Sequence, residues 1–203
     1  MKRMHSMPFG AEIDERGAAR FRLWAPSARS VAIELVIGGL TRAIEMKAED
    51  GGWYEAQLND AVPGTRYQYR IDDELDVPDP ASRFNADGVH GPSVLVDPRA
   101  YRWTDDDWHG HAWKDLVIYE LHVGTFTREG TYTAAAEQLA DLAKLGVTAV
   151  EVLPIASFAG QRGWGYDGVL QYAPHPAYGA PENLKQFIEQ AHANKISVLL
   201  DVV

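Results

Sequence analysis

The sequence predicts two domains of different fold class, an antiparallel β-sandwich over residues 1–98 and a parallel β-α-β-α-β arrangement over residues 114–203. In the first part, short runs of alternating apolar and polar residues are typical of strands with one buried face. In the second part, amphipathic helical patterns separate continuously apolar runs, and such runs indicate parallel strands that are buried on both faces. The change of pattern places the boundary near residues 99–113.

Three period-two runs define the sandwich, at residues 20–25, 31–36 and 66–72. Several short strands at this spacing, without a helical pattern among them, favour a sandwich. Residues 77–98 are rich in Pro, Gly, Asp and Ser, and we expect them to form a structured loop that closes it. Turn-forming sequences separate the runs, namely Gly38-Gly39, Asp50-Gly51-Gly52 and Pro63-Gly64.

The parallel part begins after a connector, residues 99–113, whose three Trp residues favour packing over flexibility. The first helix is expected over Thr133–Leu145, where apolar residues share one helical face and Gly146 follows as a C-terminal cap. The second helix is expected to begin at Pro181, a residue suited to the first helical position. The predicted strands are Leu116–Val123, Val147–Leu153 and Ile196–Val203.

Composition and charge exclude several classes of function. With 46% hydrophobic and 24% charged residues, the 203-residue chain has the apolar content of a globular protein. Its formal net charge of -10 and the lack of a basic patch argue against a nucleic-acid partner. No run approaches the ~20 apolar residues of a membrane span, and no signal-peptide core follows the N-terminus, so no membrane partner is expected. The chain contains no cysteine, which excludes thiolate catalysis and fits a cytoplasmic protein.

The segment between the second strand and the second helix, Pro154–Pro181, is expected to carry the chemistry. Working residues of α/β folds lie at the C-terminal ends of strands, and a loop of this length in a compact domain is usually functional. The loop contains Trp and Tyr rings that can stack on sugars, and two polar side chains that can hydrogen-bond to hydroxyls. These residues are Trp164, Tyr166, Tyr172, Tyr178, Asp167 and His175. The alternative is that the rings only pack the loop onto the strands.

Several blocks of the second part resemble the α-amylase superfamily of glycoside hydrolases, namely DLVIYELHVGTF, GVTAVEVLPI and the stretch from Gly163 to Val203. Within it, the string GWGYDG at 163–168 is similar to the branch that releases trehalose from maltooligosyltrehalose. Glycogen-branching enzymes carry a similar block, typically with Gln at the position of Asp167. In the first part, FGAEI, FRLWAPSA and DGVHGPS resemble the N-terminal sandwich of the trehalose-releasing branch, which is related to glycogen-binding modules.

The resemblance implies an immunoglobulin-like sandwich followed by the first units of a (β/α)8 TIM barrel. It also implies hydrolysis of the α-1,4-glucosidic bond next to the trehalose end of the substrate. Tyr166 matches a tyrosine that stacks under the sugar in the −1 subsite, and Asp201 matches an aspartate that supports the catalytic centre. Trp164 and Asp167 are expected to contribute to substrate binding. The partner is then an α-glucan, maltooligosyltrehalose, and neither a cofactor nor a metal is implied.

In this superfamily the catalytic carboxylates follow strands four, five and seven, so the resemblance places none of them in this chain. Retaining glycosidases need a nucleophile and an acid about 5–5.5 Å apart. Glu120, Glu151 and His122 are interpreted as residues of the barrel wall rather than as a substitute pair or base. The chain is therefore expected to be an N-terminal fragment with an incomplete barrel, inactive alone. Two alternatives remain open, a fragment of a glycogen branching or debranching enzyme and a non-catalytic α-glucan-binding protein.

Overall fold

The computed structural model describes residues 5–203. Residues 1–4, which belong to the predicted sandwich domain and to the segment without a signal-peptide core, lie outside the described residues. The described residues divide into two compact units, one of residues 5–98 with Leu170–Ala173 and one of residues 99–169 and 174–203. We call them the first and the second unit. No helix in the described part is long and apolar enough to cross a membrane.

The first unit is built from two antiparallel sheets, which confirms the predicted sandwich. Its strands are β1 (Gly10–Ile13), β2 (Ala19–Trp24), β3 (Val31–Ile37), β4 (Leu40–Glu45), β5 (Lys47–Glu49), β6 (Trp53–Leu58), β7 (Arg66–Ile71), β8 (Leu75–Val77) and β9 (Ser93–Val94). One sheet has the order β1-β2-β6-β5, and the other has the order β4-β3-β7-β8 with β9 paired to β7. The three period-two runs of the sequence coincide with β2, β3 and β7.

The inner faces of the two sheets share one apolar core. Alternation along the strands points Phe21, Ile33 and Leu35 inward, where they are fully buried, and leaves Arg22 on the outer face of β2. The ring of Phe21 meets that of Tyr67 edge to face, at a centroid distance of 5.0 Å. The period of the sequence therefore determines which side of each strand enters the core.

A buried carboxylate ties the loop that closes the sandwich to this core. Asp79, only 1% exposed, accepts hydrogen bonds from the hydroxyls of Tyr67 at 2.8 Å and Tyr69 at 3.4 Å, and from the backbone N–H of Ala81 at 2.8 Å. Its own N–H donates to Oγ of Ser93 at 3.0 Å. Burial raises the pKa of Asp79 above its ordinary range, and the hydrogen bonds that it accepts oppose this shift. The loop is thus fixed by a polar cluster whose members satisfy one another.

The second unit contains a three-stranded parallel sheet, which confirms the predicted β-α-β-α-β order. From residue 99 onward the strands are β10 (Ile118–Leu121), β11 (Ala149–Val152), β12 (Ala156–Ser157), β13 (Leu170–Pro174) and β14 (Ser197–Leu200). The helices are α1 (Val123–Phe126), α2 (Tyr132–Glu137), α3 (Leu139–Leu145) and α4 (Pro181–Ala193), with 3-10 turns at Trp113–Asp115 and Pro176–Tyr178. The sheet order is β10-β11-β14, and the apolar faces of α2, α3 and α4 pack against one side of it.

Two helix ends are confirmed, and their caps explain them. Gly146 adopts φ 97°, and its N–H reaches the carbonyls of Leu142 and Ala143, so it ends α3 as the sequence predicts. Pro181 is the first residue of α4, also as predicted. Both positions follow from local chemistry, because a left-handed cap favours glycine and a first helical position tolerates a missing N–H.

The predicted limits of the first helix and of all three strands are wrong, and each strand is shorter at both ends than its apolar run. The helix expected over Thr133–Leu145 is divided at Gln138, where the N–H bonds to the carbonyl of Ala135 three residues back and the regular ladder is interrupted. The first strand ends at Leu121, because the backbone turns into α1 at Val123. The third strand ends at Leu200, and one further hydrogen bond, from the Asp201 N–H to the Val152 carbonyl, closes its pairing with β11 in the described residues. An apolar run alone does not reveal where strand pairing stops.

We predict that Asp79→Ala lowers the free energy of unfolding by about 3 kcal/mol, because it leaves two buried tyrosine hydroxyls and one N–H without an acceptor. Asp76→Ala is the matched control. Asp76 pairs with Arg70 on the exposed surface and should contribute about 1 kcal/mol or less. Urea unfolding followed by circular dichroism measures both. Equal losses for the two variants would contradict the role given to Asp79.

Candidate functional site

The carboxyl ends of the three parallel strands meet at one edge of the second unit. His122 follows β10, Pro154 lies two residues beyond β11, and Asp201 follows β14. The N–H of Asp201 donates to the carbonyl of Val152 at 2.9 Å, so the ladder reaches this aspartate. The long loop that leaves β11 begins at the same edge, which is where α/β folds place their working residues.

Three carboxylates line the sheet face that the helices leave uncovered. Val150 and Val152 point toward the helices, so alternation sends Glu151 to the opposite side, and its register partner Glu120 goes with it. By the same alternation Asp201 lies on the side of these two glutamates. The sequence-based interpretation of Glu120 and Glu151 as barrel-wall residues fits this placement. The result is an acidic face at the carboxyl edge of the sheet.

The structure brings Tyr166 and Asp201 together, although 35 positions separate them in the sequence. The Tyr166 hydroxyl donates to Oδ2 of Asp201 at 3.0 Å. This hydrogen bond, followed by desolvation and by the negative charges of Asp201, Glu120 and Glu151, raises the pKa of the Tyr166 phenol. Tyr166 is 49% exposed, so the residue remains accessible although its hydroxyl is held by Asp201. We call the set Glu120, Glu151, Trp164, Tyr166 and Asp201 the candidate cleft.

Trp164 lies near His122, which anchors the loop instead of serving as a free base. Nε2 of His122 lies 2.8 Å from the carbonyl oxygen of Gly163 and 3.2 Å from the Tyr178 hydroxyl. A ring nitrogen that faces a carbonyl must carry the proton and donate it. The Trp164 ring stands edge-on to this imidazole at 6.4 Å and is 74% exposed. The indole is therefore available to a ligand, and its backbone is held by His122.

Gly165 fixes the loop between the two aromatic residues. It has φ +93°, and a Cβ there would meet the carbonyl oxygen of Pro154 at 2.0 Å. Only glycine permits this approach, because a side chain would clash with backbone and also disfavour the left-handed conformation. In the sequence, Gly165 stands out only as part of the GWGYDG motif. The close contact with Pro154 explains why a glycine is required at this position.

The other predicted loop residues have different environments. Asp167 is exposed, and Tyr172 groups with the first unit. His175 was expected to hydrogen-bond to hydroxyls, and this expectation is wrong because the ring is only 1% exposed. It stacks on Phe158 at a centroid distance of 3.7 Å, and neither ring nitrogen has a hydrogen-bond partner among the described residues. Phe158, which the sequence did not single out, thus packs against the buried His175 ring of the loop.

Two family models match the chain. The model of carbohydrate-binding module 48 (isoamylase N-terminal domain) matches residues 8–98, and the model of the alpha amylase catalytic domain matches residues 85–203. The chain belongs to the α-amylase family. The fold of this α-amylase-family chain is accordingly a carbohydrate-binding-module sandwich followed by the start of the catalytic barrel.

Curated relatives of this α-amylase-family chain include malto-oligosyltrehalose trehalohydrolases and a 1,4-alpha-glucan branching enzyme. Malto-oligosyltrehalose trehalohydrolase of Deinococcus radiodurans is 50% identical over 184 residues, which cover 91% of this chain and 30% of that protein. The protein of the same name from Saccharolobus solfataricus is 44% identical over 197 residues, covering 97% and 34%. The 1,4-alpha-glucan branching enzyme GlgB 2 of Rhizobium etli is 30% identical over 214 residues, covering 94% and 29%. The chain thus spans about a third of the length of these relatives.

Solved structures of the family share the fold. A crystal structure described as an alpha amylase from Salmonella typhimurium superposes with a TM-score of 0.94 at 47% identity, covering 98% of this chain and 33% of that one. Pullulanase from Bacillus acidopullulyticus superposes with a TM-score of 0.83 at 26% identity, covering 99% and 30%. The agreement extends over both units of the α-amylase-family chain.

We predict that Gly165→Ala lowers the melting temperature far more than Gly160→Ala. Both glycines have positive φ, so both variants carry the cost of about 1 kcal/mol of a left-handed alanine. Gly160 has open space around its α-carbon, whereas Gly165 faces the Pro154 carbonyl, so only the second variant must displace the backbone. Differential scanning calorimetry of the two variants provides the test. Equal melting temperatures would show that the close approach does not constrain the loop.

A second prediction concerns acid stability. Burial lowers the pKa of His175, so the folded chain holds the neutral ring and the unfolded chain binds a proton more readily. The stability that depends on the neutral ring is present above about pH 6.5, the ordinary histidine pKa, and declines as the pH falls below it. The variant His175→Phe should lose this part of the pH dependence while keeping the stack on Phe158.

The exposed His109 supplies the control for this measurement. The variant His109→Gln should retain the acid sensitivity of the parent chain between pH 7 and pH 5. Melting temperatures across that range give the difference between each variant and the parent. A His175→Phe curve parallel to the parent curve would contradict the assignment.

Proposed function

We propose that this chain is the N-terminal part of a glycoside hydrolase that cleaves the α-1,4-glucosidic bond next to the trehalose end of maltooligosyltrehalose. The observation that carries the proposal is 44–50% identity to curated proteins of that name over more than nine-tenths of this chain. In this proposal residues 1–98 form a carbohydrate-binding-like domain, residues 99–113 a connector and residues 114–203 the first part of the catalytic barrel. The lack of cysteine supports a cytoplasmic location.

The candidate cleft supports roles for individual residues. We assign Tyr166 to the floor of the −1 subsite, because its ring is exposed and its hydroxyl is fixed by Asp201. Asp201 is then a positioning residue that orients the tyrosine. The exposed ring of Trp164 and the exposed side chain of Asp167 extend the sugar-binding surface. Aromatic faces suit the apolar C–H faces of glucose rings, and side-chain acceptors suit the hydroxyls.

A glycogen-branching function has weaker support. The branching enzyme of Rhizobium etli is 30% identical to this chain, against 50% for the trehalohydrolase of Deinococcus radiodurans. The product separates the two functions, because the proposed hydrolase liberates free trehalose and a branching enzyme creates new branches in a 1,4-alpha-glucan.

We predict that Tyr166→Ala lowers the rate of trehalose release by about 100-fold in the full-length enzyme that contains this chain, because positioning at the reacting centre is lost. Tyr166→Phe keeps the ring and loses one hydrogen bond to Asp201. At about 0.5–1.5 kcal/mol, that loss should lower the rate by roughly tenfold or less. Trehalose release and melting temperature are measured on the same preparations. A Tyr166→Ala enzyme with a lower melting temperature and an unchanged rate would refute the subsite assignment.

A further prediction concerns the 203-residue chain alone, which we expect to release no trehalose from maltooligosyltrehalose. Retaining hydrolysis needs two carboxyl groups about 5–5.5 Å apart in separate roles. The family resemblance places that pair after later strands, and we assign Glu120, Glu151 and Asp201 to the barrel wall and to positioning. The full-length enzyme serves as the positive control. Trehalose release by the 203-residue chain that Glu120→Gln or Glu151→Gln abolishes would overturn this assignment.

A further inference from the structure

His175 is a buried titratable group that the candidate cleft does not use. It precedes the 3-10 turn Pro176–Tyr178 and is only 1% exposed. Neither ring nitrogen has a hydrogen-bond partner among the described residues. A neutral imidazole has one donor and one acceptor, and this site leaves both unused. A charged ring without partners would be far more costly to bury, so the site favours the neutral form.

The His175 ring is connected to the backbone of Trp164 by direct packing. It stacks on Phe158 at a centroid distance of 3.7 Å, with the two planes 12° apart. Phe158 in turn lies against Gly163, where an added Cβ would come within 3.0 Å of the Phe158 atom Cε2. Gly163 immediately precedes Trp164. One aromatic ring therefore separates His175 from the backbone that carries the exposed indole.

A second series of contacts reaches the same glycine through Tyr178. The Tyr178 ring stands edge-on to His175 at 5.2 Å, and its hydroxyl lies 3.2 Å from Nε2 of His122. That nitrogen donates to the carbonyl oxygen of Gly163 at 2.8 Å. We call Phe158, His175 and Tyr178 the aromatic support. All three are buried, and both neighbours of His175 lead to Gly163.

The groups around His175 do not compensate a positive charge. The titratable group that packs against the ring is the Tyr178 phenol, and the Tyr132 phenol on α2 packs against Tyr178. Burial raises the pKa of both phenols, so both stay neutral near pH 6, and burial lowers the pKa of His175. His122 is the other titratable ring that Tyr178 contacts. Its Nε2 already donates to Gly163, so a further proton would go to Nδ1 and leave that bond in place.

We propose that His175 is a proton-sensitive latch, whose neutral ring holds residues 158–169 closed and whose protonation releases them without unfolding the second unit. Opening exposes the imidazole to water, where its pKa returns to about 6.5, so acid favours the open segment. A ligand that needs Trp164 and Tyr166 in place competes with that proton by linkage. The latch belongs to the loop itself, whichever reaction the complete enzyme performs.

Hydrogen exchange of single backbone amides, followed by NMR on the 203-residue chain, tests the latch. The reporter is the Val169 amide, which donates to the Ser157 carbonyl at 2.8 Å beside the aromatic support. The reference is the Ala149 amide in β11, which donates to the Val117 carbonyl at 3.1 Å. Exchange rates are corrected for the intrinsic effect of pH, so that the remaining protection measures how often each hydrogen bond opens.

In the parent chain, protection of Val169 should fall about tenfold between pH 7.5 and pH 5.5, because opening takes up one proton with a pKa of about 6.5. His175→Phe keeps an aromatic stack on Phe158 and has no titrating group, so it should remove this dependence. His175→Leu covers the case in which phenylalanine does not fit. His109→Gln, at an exposed position, should retain the parent behaviour. Melting temperatures at pH 7.5 show that each variant is folded.

Two outcomes would overturn the latch. Unfolding of the whole unit also exposes His175, so the level of protection must separate the two events, and Val169 should be about tenfold or more less protected than Ala149. Equal protection of these amides at every pH would show that the segment opens only with the whole unit. A pH dependence that persists in every folded variant at His175 would assign the proton to another group. Neither measurement requires trehalose release, so failure of the proposed function would leave this result unaffected.

Discussion

Parallel pairing of β10, β11 and β14 is the constraint from which the candidate cleft follows. Pairing aligns Glu120 beside Glu151 and carries the ladder as far as Asp201. The helices cover the other face, and Val150 and Val152 point toward them while Glu120 and Glu151 lie on the uncovered face. Carboxylates that are distant in the sequence thereby share one face. Because β14 ends beside β11, Asp201 lies where the Tyr166 hydroxyl can donate a hydrogen bond to it.

The loop after β11 depends on a second constraint, the close approach of Gly165 to the Pro154 carbonyl. A loop with several aromatic residues could collapse onto the nearest apolar surface, and then its rings would be buried. Here the backbone is fixed at Gly165 and at the His122–Gly163 contact, so Trp164 remains exposed on a rigid base. Exposing an apolar ring to water is unfavourable. Because the loop backbone is fixed, the ring stays exposed, and little conformational entropy is lost when a ligand stacks on it.

Much of the fold was predictable from local pattern. The period-two runs specified β2, β3 and β7, and Gly146 and Pro181 specified helix ends, because these features depend on residues close in sequence. The break at Gln138, the burial of His175 and the grouping of Tyr172 with the first unit depend on partners far along the chain. In the cleft, the sequence identified Tyr166 and Asp201 separately through family resemblance. Their hydrogen bond required the register of three strands.

The long loop after β11 contributes aromatic residues to both units. Trp164 and Tyr166 belong to the second unit, whereas Tyr172, six residues later, belongs to the first. Residues that only filled a core would be buried throughout, yet Trp164, Tyr166 and Tyr172 are each about half exposed or more, while Phe158 and Tyr178 in the same segment are buried. The buried rings pack the loop onto the protein, and the exposed rings face solvent. Burial within each unit therefore separates the two groups, and it leaves exposed aromatic surface in both units.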